Sequence, residues 1–497
     1  MAITLRPDEN IDRFKLGLNH KYLHFRRTKI IATIGPASSS PVMIKKLLRS
    51  GMNVCRINFS HGKPDDHLKT MALIRKISAQ LRIPVAILGD LCGPKIRVGR
   101  FRNDAVTLKD GSIVMITVDK VLGTETLIPC QYKQLVREVK VNEQILLDDG
   151  NLELKVLGKE NGRVRARVVR GGILKNNKGM NLPDTKLKVA ALTAKDRKDA
   201  IYCIKGGVDY IALSFVRKSR DIEDLKKILR RRKADIHVIA KIEKPEALDN
   251  IREIIAAADG IMIARGDLGV ELPAKKVPFI QDTLIEACIS ERKPVIVATQ
   301  MLESMMEHGR PTRAEVTDVS MACDSGADAV MLSGETASGK YPLEALTTMD
   351  AILRETESYR FFARGGLFRD PLTRPTRDVQ DAVSAAISQL SRDLMVRCVL
   401  TETRTGRTAI VVAADRPSSP ILALTPSVSV LRKLLLIWGV VPNLTTGKLF
   451  SVDKSLAFAE SFMRKQDIAK SGDYMLLVRG IGYKKTDIQS IIVHQMS

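Results

Sequence analysis

The sequence contains no long apolar run and few aromatic residues. No apolar stretch approaches the roughly 20 residues that cross a bilayer, which argues against a membrane partner. The first residues, MAITLRPDENIDRF, include acidic side chains and no apolar core, so we expect no secretory or organelle-targeting segment and a cytoplasmic protein. Aromatic residues make up 4% of the chain and do not interleave with its basic runs. Base-stacking platforms are therefore not evident, and a nucleic-acid partner is not expected.

Paired cysteine motifs are also missing. The seven cysteines are dispersed along the chain and form no CxxC pair. An odd, scattered set is typical of reduced thiols in a cytosolic protein, not of a disulfide framework. Cys55, Cys203 and Cys398 lie in apolar runs, so we interpret them as small core residues and not as nucleophiles.

Positive charge, by contrast, is plentiful. Lys and Arg total 80 against 56 Asp and Glu, a net charge of +24. Such a balance favours anionic partners, among them phosphorylated small molecules. The densest basic block, Val216–Lys233, places Ile222, Leu225, Ile228 and Leu229 at helical spacing. Its basic residues are therefore predicted to form the solvent face of a helix.

Eight short apolar runs end in polar or charged clusters. Continuous Val, Ile and Ala are typical of strands buried on both faces of a parallel sheet. Eight such strands separated by helices predict a (β/α)8 TIM barrel, whose chemistry lies at the C-terminal strand ends. The runs are Thr28–Ser38, Asn53–Gly62, Pro84–Lys95, Asp209–Arg217, His237–Lys244, Gly260–Gly269, Pro294–Met301 and Ala329–Thr336.

Helical segments are predicted between most of these strands, several of them with proline in the first turn. They are Pro41–Arg49, Asp65–Leu81, Ala194–Lys205, Arg220–Lys233, Pro245–Ala257, Pro273–Arg292, Arg313–Ser325 and Pro342–Glu355. The stretch Lys95–Val189 instead shows short alternating runs separated by Lys-Asp-Gly, Asp-Asp-Gly and Glu-Asn-Gly. Such turns favour hairpins. We expect an inserted small β-barrel domain that acts as a lid.

A passage rich in Pro and Arg, RGGLFRDPLTRPTRD, indicates a domain boundary. Beyond it we predict a helix over Asp381–Met395 and strands in the runs VRCVLTET, AIVVAADR, ILALTP, GDYMLLVRG and SIIVHQM. These form a C-terminal doubly wound α/β domain. The predicted bounds are 1–92 and 189–357 for the barrel, 93–188 for the insert and 358–497 for the C-terminal domain.

Charged side chains at two adjacent strand ends indicate a metal site. Glu243 and Asp267 end strands five and six with no Cys or His beside them, which suits Mg²⁺ or Mn²⁺, although such carboxylates can also cap helices. Lys241, two residues before Glu243, points the same way. Beside a metal it can stabilise an oxyanion or a transferring phosphoryl group. The alternative is an interior lysine paired with a carboxylate.

Other polar residues end the remaining strands. Arg56 and Asn58 share one face of strand two, and Arg suits a bidentate grip on phosphate or carboxylate. Thr299 and Ser333 end strands seven and eight and could relay a proton, although each alone is more often structural. Gly266 would let an anion approach the backbone closely. This set favours phosphoryl transfer or enolate chemistry over acyl transfer, and spacing alone goes no further.

Long motifs in a fixed order closely resemble the pyruvate kinase family over essentially the whole chain. They are RINFSHG (Arg56–Gly62), DLCGPKIRVG (Asp90–Gly99), KIEKPEALDN (Lys241–Asn250), GIMIARGDLGVELP (Gly260–Pro273), ATQMLESM (Ala298–Met305), RPTRAEVTDV (Arg310–Val319) and MLSGETASGKYP (Met331–Pro342). The resemblance implies a barrel, a lid and an allosteric C-terminal domain, commonly in a homotetramer. It also implies transfer of phosphoryl from phosphoenolpyruvate to ADP, the last step of glycolysis.

The resemblance assigns roles by position. Lys241 would stabilise the transferring group and the enolate, while Glu243 and Asp267 would bind the divalent metal. Thr299 or Ser333 would help a water protonate the enolate. Substrate would be held by Arg56, Ser214, Gly266, Asp267 and Thr299. Nucleotide would be contacted by Asn58, His61, Arg97 and Lys195.

One position departs from the commonest family pattern. Members that need K⁺ carry an acidic residue in a GPEIR-like motif and usually a threonine after the aspartate, where this chain has Lys95 and Leu91. Asn58, Ser60, Asp90 and Leu91 could still coordinate K⁺. Because a cation next to another is costly at short range, we expect Lys95 to replace K⁺. The alternative is a lysine that points to solvent.

A C-terminal stretch resembles the family's phosphate-binding effector loop. Its hydroxyls, glycine and Arg407 precede a helix, which suits a phosphate, although a turn without a ligand is the alternative. Glu402 and Arg404 depart from the commonest pattern and leave the effector open. The loop residues are Thr401, Thr403, Thr405, Gly406, Arg407 and Thr408, and Gly480–Lys485 lies where the family has a second effector loop.

Two other readings compete. A Mg-dependent phosphoenolpyruvate or pyruvate lyase or mutase on a related barrel would also use an enolate, but it would not need the lid, Lys195 or the C-terminal domain. The high positive charge also fits an anion- or RNA-binding protein that has lost activity. The presence of Lys241, Glu243 and Asp267 argues against such decay.

Overall fold

The computed structural model describes residues 26–185, 187–363, 378–445, 451–480 and 490–497. Its strands in chain order are β1 (Lys29–Thr33), β2 (Val54–Asn58), β3 (Ala86–Asp90), β4 (Ala105–Leu108), β5 (Ile113–Thr117), β6 (Leu127–Pro129), β7 (Gln144–Leu147), β8 (Leu152–Glu160), β9 (Arg163–Arg170), β10 (Gly172–Lys175), β11 (Met180–Asn181), β12 (Tyr210–Leu213), β13 (His237–Ile242), β14 (Gly260–Ala264), β15 (Val295–Ala298), β16 (Ala329–Leu332), β17 (Cys398–Glu402), β18 (Ile421–Thr425), β19 (Val440–Leu444), β20 (Tyr474–Arg479) and β21 (Ser490–Gln495).

The α-helices in chain order are α1 (Pro41–Arg49), α2 (Pro64–Leu81), α3 (Leu135–Glu138), α4 (Ala194–Lys205), α5 (Ser219–Arg231), α6 (Pro245–Asp249), α7 (Ile251–Ala257), α8 (Arg265–Glu271), α9 (Val277–Ser290), α10 (Arg313–Asp324), α11 (Gly334–Ala337), α12 (Pro342–Ala363), α13 (Val379–Asp393), α14 (Arg407–Ala414), α15 (Val428–Leu434) and α16 (Val452–Lys465). Short 3₁₀ turns cover Ala274–Lys276 and Glu303–Met306. Among the described residues, no helix combines the length and apolar character that a bilayer crossing requires.

Eight parallel strands close into a barrel in the order β1-β16-β15-β14-β13-β12-β3-β2. All eight predicted runs are therefore confirmed as strands, and the TIM barrel with them. Alternate residues face the interior: Ile31, Val54, Leu88 and Ile239 belong to one buried cluster inside the barrel. Because the strands are parallel, their C-terminal ends form one mouth, and the interior-facing positions at that end hold the candidate site.

Local signals explain where the barrel helices begin. Pro41 and Pro64 occupy the first turns of α1 and α2, as predicted. Thr193 and Thr312 form capping boxes with the third residue of α4 and α10, which satisfies free backbone amides at both helix starts. In α5 the apolar residues Ile222, Leu225 and Leu229 are buried. The predicted basic outer face of this helix is confirmed.

The inserted domain leaves the barrel after β3 and returns before α4. It contains a six-stranded sheet of order β11-β7-β8-β9-β5-β6 and a two-stranded sheet of β10 and β4. In β9, Val164, Ala166 and Val168 are buried while Arg165 and Arg167 are exposed. That alternation matches a sheet with one face on a core.

The C-terminal domain has a five-stranded sheet of order β19-β18-β17-β20-β21, parallel except for β21. The strand predicted over AIVVAADR is wrong, because this run forms α14. Gly406, with φ +89°, starts the helix, and six of its eight residues are buried. A short helix that is apolar on all sides has no amphipathic period, so its sequence cannot be told from a buried strand.

The C-terminal domain closes the lower end of the barrel. Leu435 and Leu436 join the apolar cluster inside the barrel. Tyr210 Oη donates to Lys433 O at 2.5 Å, and Arg416 pairs with Asp328 at 2.8 Å with both side chains buried. The barrel therefore opens at its C-terminal mouth, where the inserted domain lies.

Three helix predictions need correction. The segment Pro245–Ala257 is two helices, since Asn250 interrupts it and donates from its amide to Arg217 O. The predicted Pro273–Arg292 begins with a 3₁₀ turn, so α9 starts at Val277. Helix α12 continues beyond Glu355 to Ala363. The Pro- and Arg-rich boundary passage lies almost wholly outside the described residues, and the domain bounds stay predictions.

All seven cysteines are free thiols, in agreement with the sequence. Cys55, Cys203 and Cys398 are fully buried. Burial raises the pKa of Cys55 to about 12 and that of Cys398 to about 12. These thiols stay protonated near neutral pH and are core residues, because a thiolate is the reactive form of cysteine.

Candidate active site

Interior-facing positions of the barrel change from apolar to polar toward the mouth. On β13 the buried Ile239 is followed two residues later by Lys241 and then by Glu243. In the same way, the interior-facing Val54 on β2 is followed two residues later by Arg56, and Leu88 on β3 by Asp90. Since residues two apart share a face, these side chains converge above the apolar core.

Lys241 is the centre of this polar cluster. Its Nζ lies 2.8 Å from Glu243 Oε1 and 3.3 Å from Asp90 Oδ1, and it donates to Ser214 Oγ at 2.7 Å. Burial disfavours the charged form, but Asp90 and then Glu243 outweigh burial and raise the pKa of Lys241. The cluster therefore holds a charged ammonium that is largely shielded from solvent.

Glu243 is buried, with 1% of its side chain exposed. Its Oε2 accepts the backbone N–H of Phe215 at 2.8 Å. Burial raises the pKa of Glu243, Lys241 opposes that rise, and the nearby Asp267 adds to it. A buried carboxylate with a raised pKa beside a second carboxylate is electrostatically poised to accept a cation.

Asp267 supplies that second carboxylate from the first turn of α8. Its side chain is 29% exposed, and Oδ1 lies 3.9 Å from Lys95 Nζ. No group of three or more His, Cys, Asp or Glu suited to a metal occurs within the part of the chain that the structure describes. Two carboxylates nevertheless fit Mg²⁺ or Mn²⁺, because Mg²⁺ is commonly held by one or two carboxylates with substrate phosphate and water.

Arg56 and Asp90 form a buried ion pair beside Lys241. Arg56 Nε lies 2.7 Å from Asp90 Oδ2, and Arg56 Nη1 donates to Thr33 Oγ1 at 2.9 Å. Burial raises the pKa of Asp90, but Lys241 and Arg56 outweigh it and hold that pKa below its ordinary value. Asp90 is therefore a carboxylate that fixes two cations at the mouth.

Gly266 and Thr299 meet at the opposite side of the mouth. The Gly266 N–H donates to Thr299 Oγ1 at 2.7 Å, and Thr299 Oγ1 donates to Ala298 O at 2.5 Å. Thr299 has φ +69° and Gln300 has φ +53°, a backbone region that a β-branched residue rarely adopts. The Arg265 guanidinium donates to the carbonyl oxygens of Thr299 and Gln300, each at 3.0 Å, and so holds this turn.

Ser333 follows β16 at the same mouth. Its Oγ is buried and has no hydrogen-bond partner among the described residues. Its N–H donates to Glu335 Oε2 at 2.7 Å, and Glu335 Oε1 accepts from Leu302 N at 3.2 Å. A buried hydroxyl without a partner is a hydrogen-bonding group free for a ligand or water.

The residues of the predicted K⁺ corner are close in space, since Asn58 pairs with Asp90 across β2 and β3, and Asn58, Asp90 and Leu91 bond within the protein. Asn58 Oδ1 accepts from Ser60 N at 3.0 Å, and Leu91 O accepts from Ser214 Oγ at 2.8 Å. Asp90 is paired with Arg56 and Lys241 as described. Within the described residues, the ion pair of Lys95 is with Asp267, so its ammonium lies toward Asp267 and not toward Asp90.

The predicted nucleotide contacts lie at the end of β2, at the start of the inserted domain and on α4. Lys195 Nζ donates to Phe59 O at 2.7 Å and to Asp199 Oδ2 at 2.5 Å. Arg97, at the start of the lid, donates to Asn177 O at 2.9 Å. Burial, and then the charges of Arg97, Lys95 and Arg56, lower the pKa of His61. His61 therefore lies within the field of these three cations.

The predicted effector loop lies at the C-terminal end of β17 and the start of α14. Thr403 Oγ1 accepts from Gly406 N at 2.8 Å, while Thr401 Oγ1 is buried without a partner in the described chain. Thr408 is buried and Arg407 is exposed. Glu402 is buried and pairs with Arg479 at 2.7 Å. Residues 481–485 of the second predicted loop lie outside the described residues.

Part of this loop also faces the barrel. Thr405, Gly406 and Arg407 line a cavity of about 450 Å³ between the C-terminal domain and the lower end of the barrel, together with His237 and Lys293. Burial, and then the charge of Lys433, lower the pKa of His237 to about 4. His237 is therefore neutral in this cavity near neutral pH.

Sequence reasoning missed several residues that hold the site. Thr33 accepts from Arg56, Phe215 holds Glu243 by a backbone N–H, and Arg265 supports Thr299. The identity of Phe215 could not have indicated its role, because the contact with Glu243 is made by its backbone N–H. Arg265 lies directly before Gly266 in the ARGD turn, so its position was a signal that could have been used.

Comparison with known proteins gives consistent matches. Residues 25–346 match the family model described as pyruvate kinase, barrel domain, and residues 381–492 match pyruvate kinase, alpha/beta domain. The chain is 42% identical over 484 residues to a pyruvate kinase of Geobacillus stearothermophilus, covering 95% of this chain and 81% of that protein. It is 43% identical over 459 residues to pyruvate kinase 2 of Synechocystis sp., covering 92% and 76%.

A crystal structure of a pyruvate kinase from Cryptosporidium parvum is also similar. The two structures superpose with a TM-score of 0.85 at 33% sequence identity, covering 94% of this chain and 96% of the other. The match extends over barrel and C-terminal domain together.

Proposed function

The chain belongs to the pyruvate kinase family, and on that premise we propose that its barrel mouth transfers the phosphoryl group of phosphoenolpyruvate to ADP without a requirement for K⁺. The observation that carries the proposal is the position of Lys241, held between Asp90 and Glu243 in a buried site. Such a fixed ammonium stabilises negative charge that develops on a transferring phosphoryl group or an enolate.

The divalent cation would be held by Glu243 and Asp267. The family generally uses a divalent metal, and this ion supplies charge neutralisation and orientation of phosphate oxygens when bound. The protein's own part is to keep Glu243 ionised and oriented, through Lys241 and the Phe215 N–H. Asp267 is more exposed than Glu243, so a cation held there would remain open to solvent and could replace bound water with substrate oxygens.

Substrate would be gripped from two sides of the mouth. Arg56 contacts the phosphoryl group with a guanidinium whose direction is fixed by Asp90 and Thr33. On the other side, the carboxylate end of the substrate would replace Thr299 Oγ1 as acceptor of the Gly266 N–H and Ala298 O as acceptor of the Thr299 hydroxyl, and Ser214 keeps Lys241 in place. Positioning of this kind supplies most of the catalysis available to phosphoryl transfer.

Protonation of the enolate would use the hydroxyls at strands seven and eight. Ser333 Oγ is buried without a partner among the described residues, and Thr299 Oγ1 borders Gly266. Either hydroxyl can hold a water beside the enolate carbon. ADP would enter between the barrel and the lid, near Asn58, His61, Arg97 and Lys195.

Independence from K⁺ rests on charge already present at the mouth. Lys95 stands where K⁺-requiring relatives carry an acid, and its charge lowers the pKa of His61. Its ammonium lies 3.9 Å from Asp267, and the negative charge of Asp90 is balanced by Arg56 and Lys241. A further cation would meet repulsion and no free carboxylate in this corner.

Regulation by a phosphorylated effector is part of the proposal. Thr403, Thr405 and Gly406 precede α14, whose first residue is Arg407, and helix N-termini attract phosphate. Assembly into a homotetramer and residence in the cytoplasm are proposed from the family alone.

The direct test is a coupled assay of pyruvate formation from phosphoenolpyruvate and ADP with Mg²⁺. We expect ADP-dependent pyruvate formation matched by ATP. Conversion of phosphoenolpyruvate or pyruvate that needs no ADP would instead favour the lyase or mutase alternative and overturn the kinase assignment.

A further inference from the structure

The loop Ser214–Arg217, which follows β12, touches both central side chains of the site. Ser214 Oγ accepts from Lys241 Nζ at 2.7 Å, and Phe215 N donates to Glu243 Oε2 at 2.8 Å. Phe215 has φ +56°, a left-handed conformation that bulky residues adopt only when their surroundings impose it. The direction of the Phe215 N–H therefore depends on what holds this loop.

The same loop contacts the connection that leads into the lid. Ser214 Oγ donates to Leu91 O at 2.8 Å. Gly93 has φ +67°, and a Cβ there would come within 2.7 Å of the Phe215 ring. Only glycine fits this position, because the ring occupies the space that any side chain would need.

Arg217 contacts the connection that returns from the lid. Its guanidinium donates to Leu187 O through Nη1 and to Val189 O through Nη2. Two parallel donors on two carbonyls fix both the position and the plane of a guanidinium. The side chain is partly buried, and its two acceptors lie two residues apart in the chain.

The backbone of Arg217 is held as firmly as its side chain. Its N–H donates to Asp221 Oδ2 at 3.0 Å, and its carbonyl accepts from Asn250 Nδ2 at 2.9 Å. Asn250 is the residue that interrupts the predicted helix between α6 and α7. A shift of the lid connection is therefore passed to the loop and not absorbed by Arg217 alone.

We propose that Arg217 is a positioning residue that couples the lid to the metal site: its grip on Leu187 and Val189 fixes the loop Ser214–Arg217, and the loop sets Glu243 through Phe215 and Lys241 through Ser214. The proposal rests on the proposed function for the roles of Lys241 and Glu243. Arg217, which contacts neither Lys241 nor Glu243 directly, thus controls the affinity of the site for its divalent cation.

The test measures Mn²⁺ binding to the full chain by electron paramagnetic resonance of free Mn²⁺, without nucleotide or substrate. We expect Arg217→Met to weaken Mn²⁺ binding roughly 10- to 100-fold, the range found when outer partners of metal ligands are removed. Arg217→Lys, which keeps one donor to the connection, should recover part of the loss. Hydrogen–deuterium exchange should rise in the peptide that contains Val189.

Arg220→Met is the matched control, since Arg220 is an exposed arginine at the start of α5. It should leave Mn²⁺ binding and exchange unchanged. If Arg217→Met does not fold, Asn250→Ala removes the amide that holds the Arg217 carbonyl and should weaken Mn²⁺ binding in the same direction. Faster exchange at Val189 with Mn²⁺ affinity within about twofold of wild type would overturn the proposal.

Kinetics separate this proposal from the proposed function. With an active wild-type enzyme, Arg217→Met should lower kcat at saturating ADP and phosphoenolpyruvate and raise the Mg²⁺ concentration needed for half activity. An inactive wild type that loses Mn²⁺ affinity in Arg217→Met would refute the kinase assignment and leave the coupling standing. A change in KM for ADP alone, with kcat and metal dependence unaltered, would contradict the coupling.

Discussion

Lys241 Nζ, on β13, lies 2.8 Å from Oε1 of Glu243, the residue that directly follows the strand, and 12% and 1% of the two side chains are exposed. In the proposed function, the pair joins the ammonium that would face the transferring group to a carboxylate that would bind the divalent cation. Asp90 shares the same ammonium at 3.3 Å, so one cation compensates two buried acids. Such an arrangement is stable only while every partner is present.

Lys241→Met should therefore affect both catalysis and stability. Loss of a preorganised cation at developing negative charge lowers kcat by about 10²- to 10³-fold or more. Breaking a buried pair costs about 3–5 kcal/mol, although Arg56 still compensates Asp90. Pyruvate formation and urea unfolding measure the two effects. Lys227→Met, which alters an exposed pair with Asp224 on α5, is the control, and equal behaviour of both variants would contradict the role of Lys241.

Glu243→Gln tests the metal site. The amide keeps the volume and can still accept the Phe215 N–H, but it lacks the charge that attracts a cation. We expect Mn²⁺ binding in the absence of substrate to weaken by at least about tenfold. Glu160→Gln, an exposed change in the lid, should bind Mn²⁺ like wild type. Unchanged Mn²⁺ affinity in Glu243→Gln would remove Glu243 from the metal site.

Thr299 offers a matched pair of substitutions. Thr299→Ser keeps the hydroxyl that accepts the Gly266 N–H, whereas Thr299→Val removes it. A net hydrogen bond from this hydroxyl to bound substrate would be worth about 0.5–1.5 kcal/mol, so Thr299→Val should raise KM for phosphoenolpyruvate by about 3- to 10-fold. Thr299→Ser should remain near wild type. If initial-rate kinetics find the two variants alike, the hydroxyl has no part in holding substrate.

Lys29 predicts a pH dependence of stability at the junction of barrel and C-terminal domain. Its Nζ donates to Val440 O at 2.8 Å, and burial, then the charge of Arg26, lower its pKa from 10.5 to about 7. Between these values the unfolded chain binds a proton that the folded protein does not, so this group makes stability rise with pH. Below about pH 7, Lys29 is charged in the folded protein, and the full desolvation cost of that buried charge lowers the free energy of unfolding.

Urea unfolding of wild type and Lys29→Met, followed by fluorescence of the single tryptophan, Trp438, measures this effect. From pH 7 to 9 the wild type should gain stability relative to Lys29→Met, by at most about 1.4 kcal/mol per pH unit. Because the other titrating groups are present in both proteins, their contributions to the pH dependence cancel in the difference in unfolding free energy. A constant difference across this range would mean that Lys29 stays protonated in the fold.

Much of this arrangement could be predicted from the sequence because parallel strands impose it. Runs such as Pro294–Met301 are buried on both faces, and their polar C-terminal neighbours must share one mouth. That reasoning found Lys241 and Glu243 without a structure. It failed at α14, where burial on all sides removed the helical period.

Other features depend on contacts between distant segments, which no local pattern encodes. Phe215 contributes a backbone N–H, and Arg217 acts on the lid connection far along the chain. The direction of Lys95 depends on how the lid sits on the barrel. Its sequence position indicated a cation at the mouth, and the structure directs that cation toward Asp267.

The most direct test of the account is the effect of K⁺ on the wild-type rate. Pyruvate formation should be measured with Mg²⁺ at saturating phosphoenolpyruvate and ADP, in tetramethylammonium buffer free of Na⁺, with and without 100 mM K⁺ (about physiological ionic strength). The account predicts equal rates, and it predicts that Lys95→Glu becomes K⁺-dependent. A wild-type enzyme that is nearly inactive until K⁺ is added would contradict it.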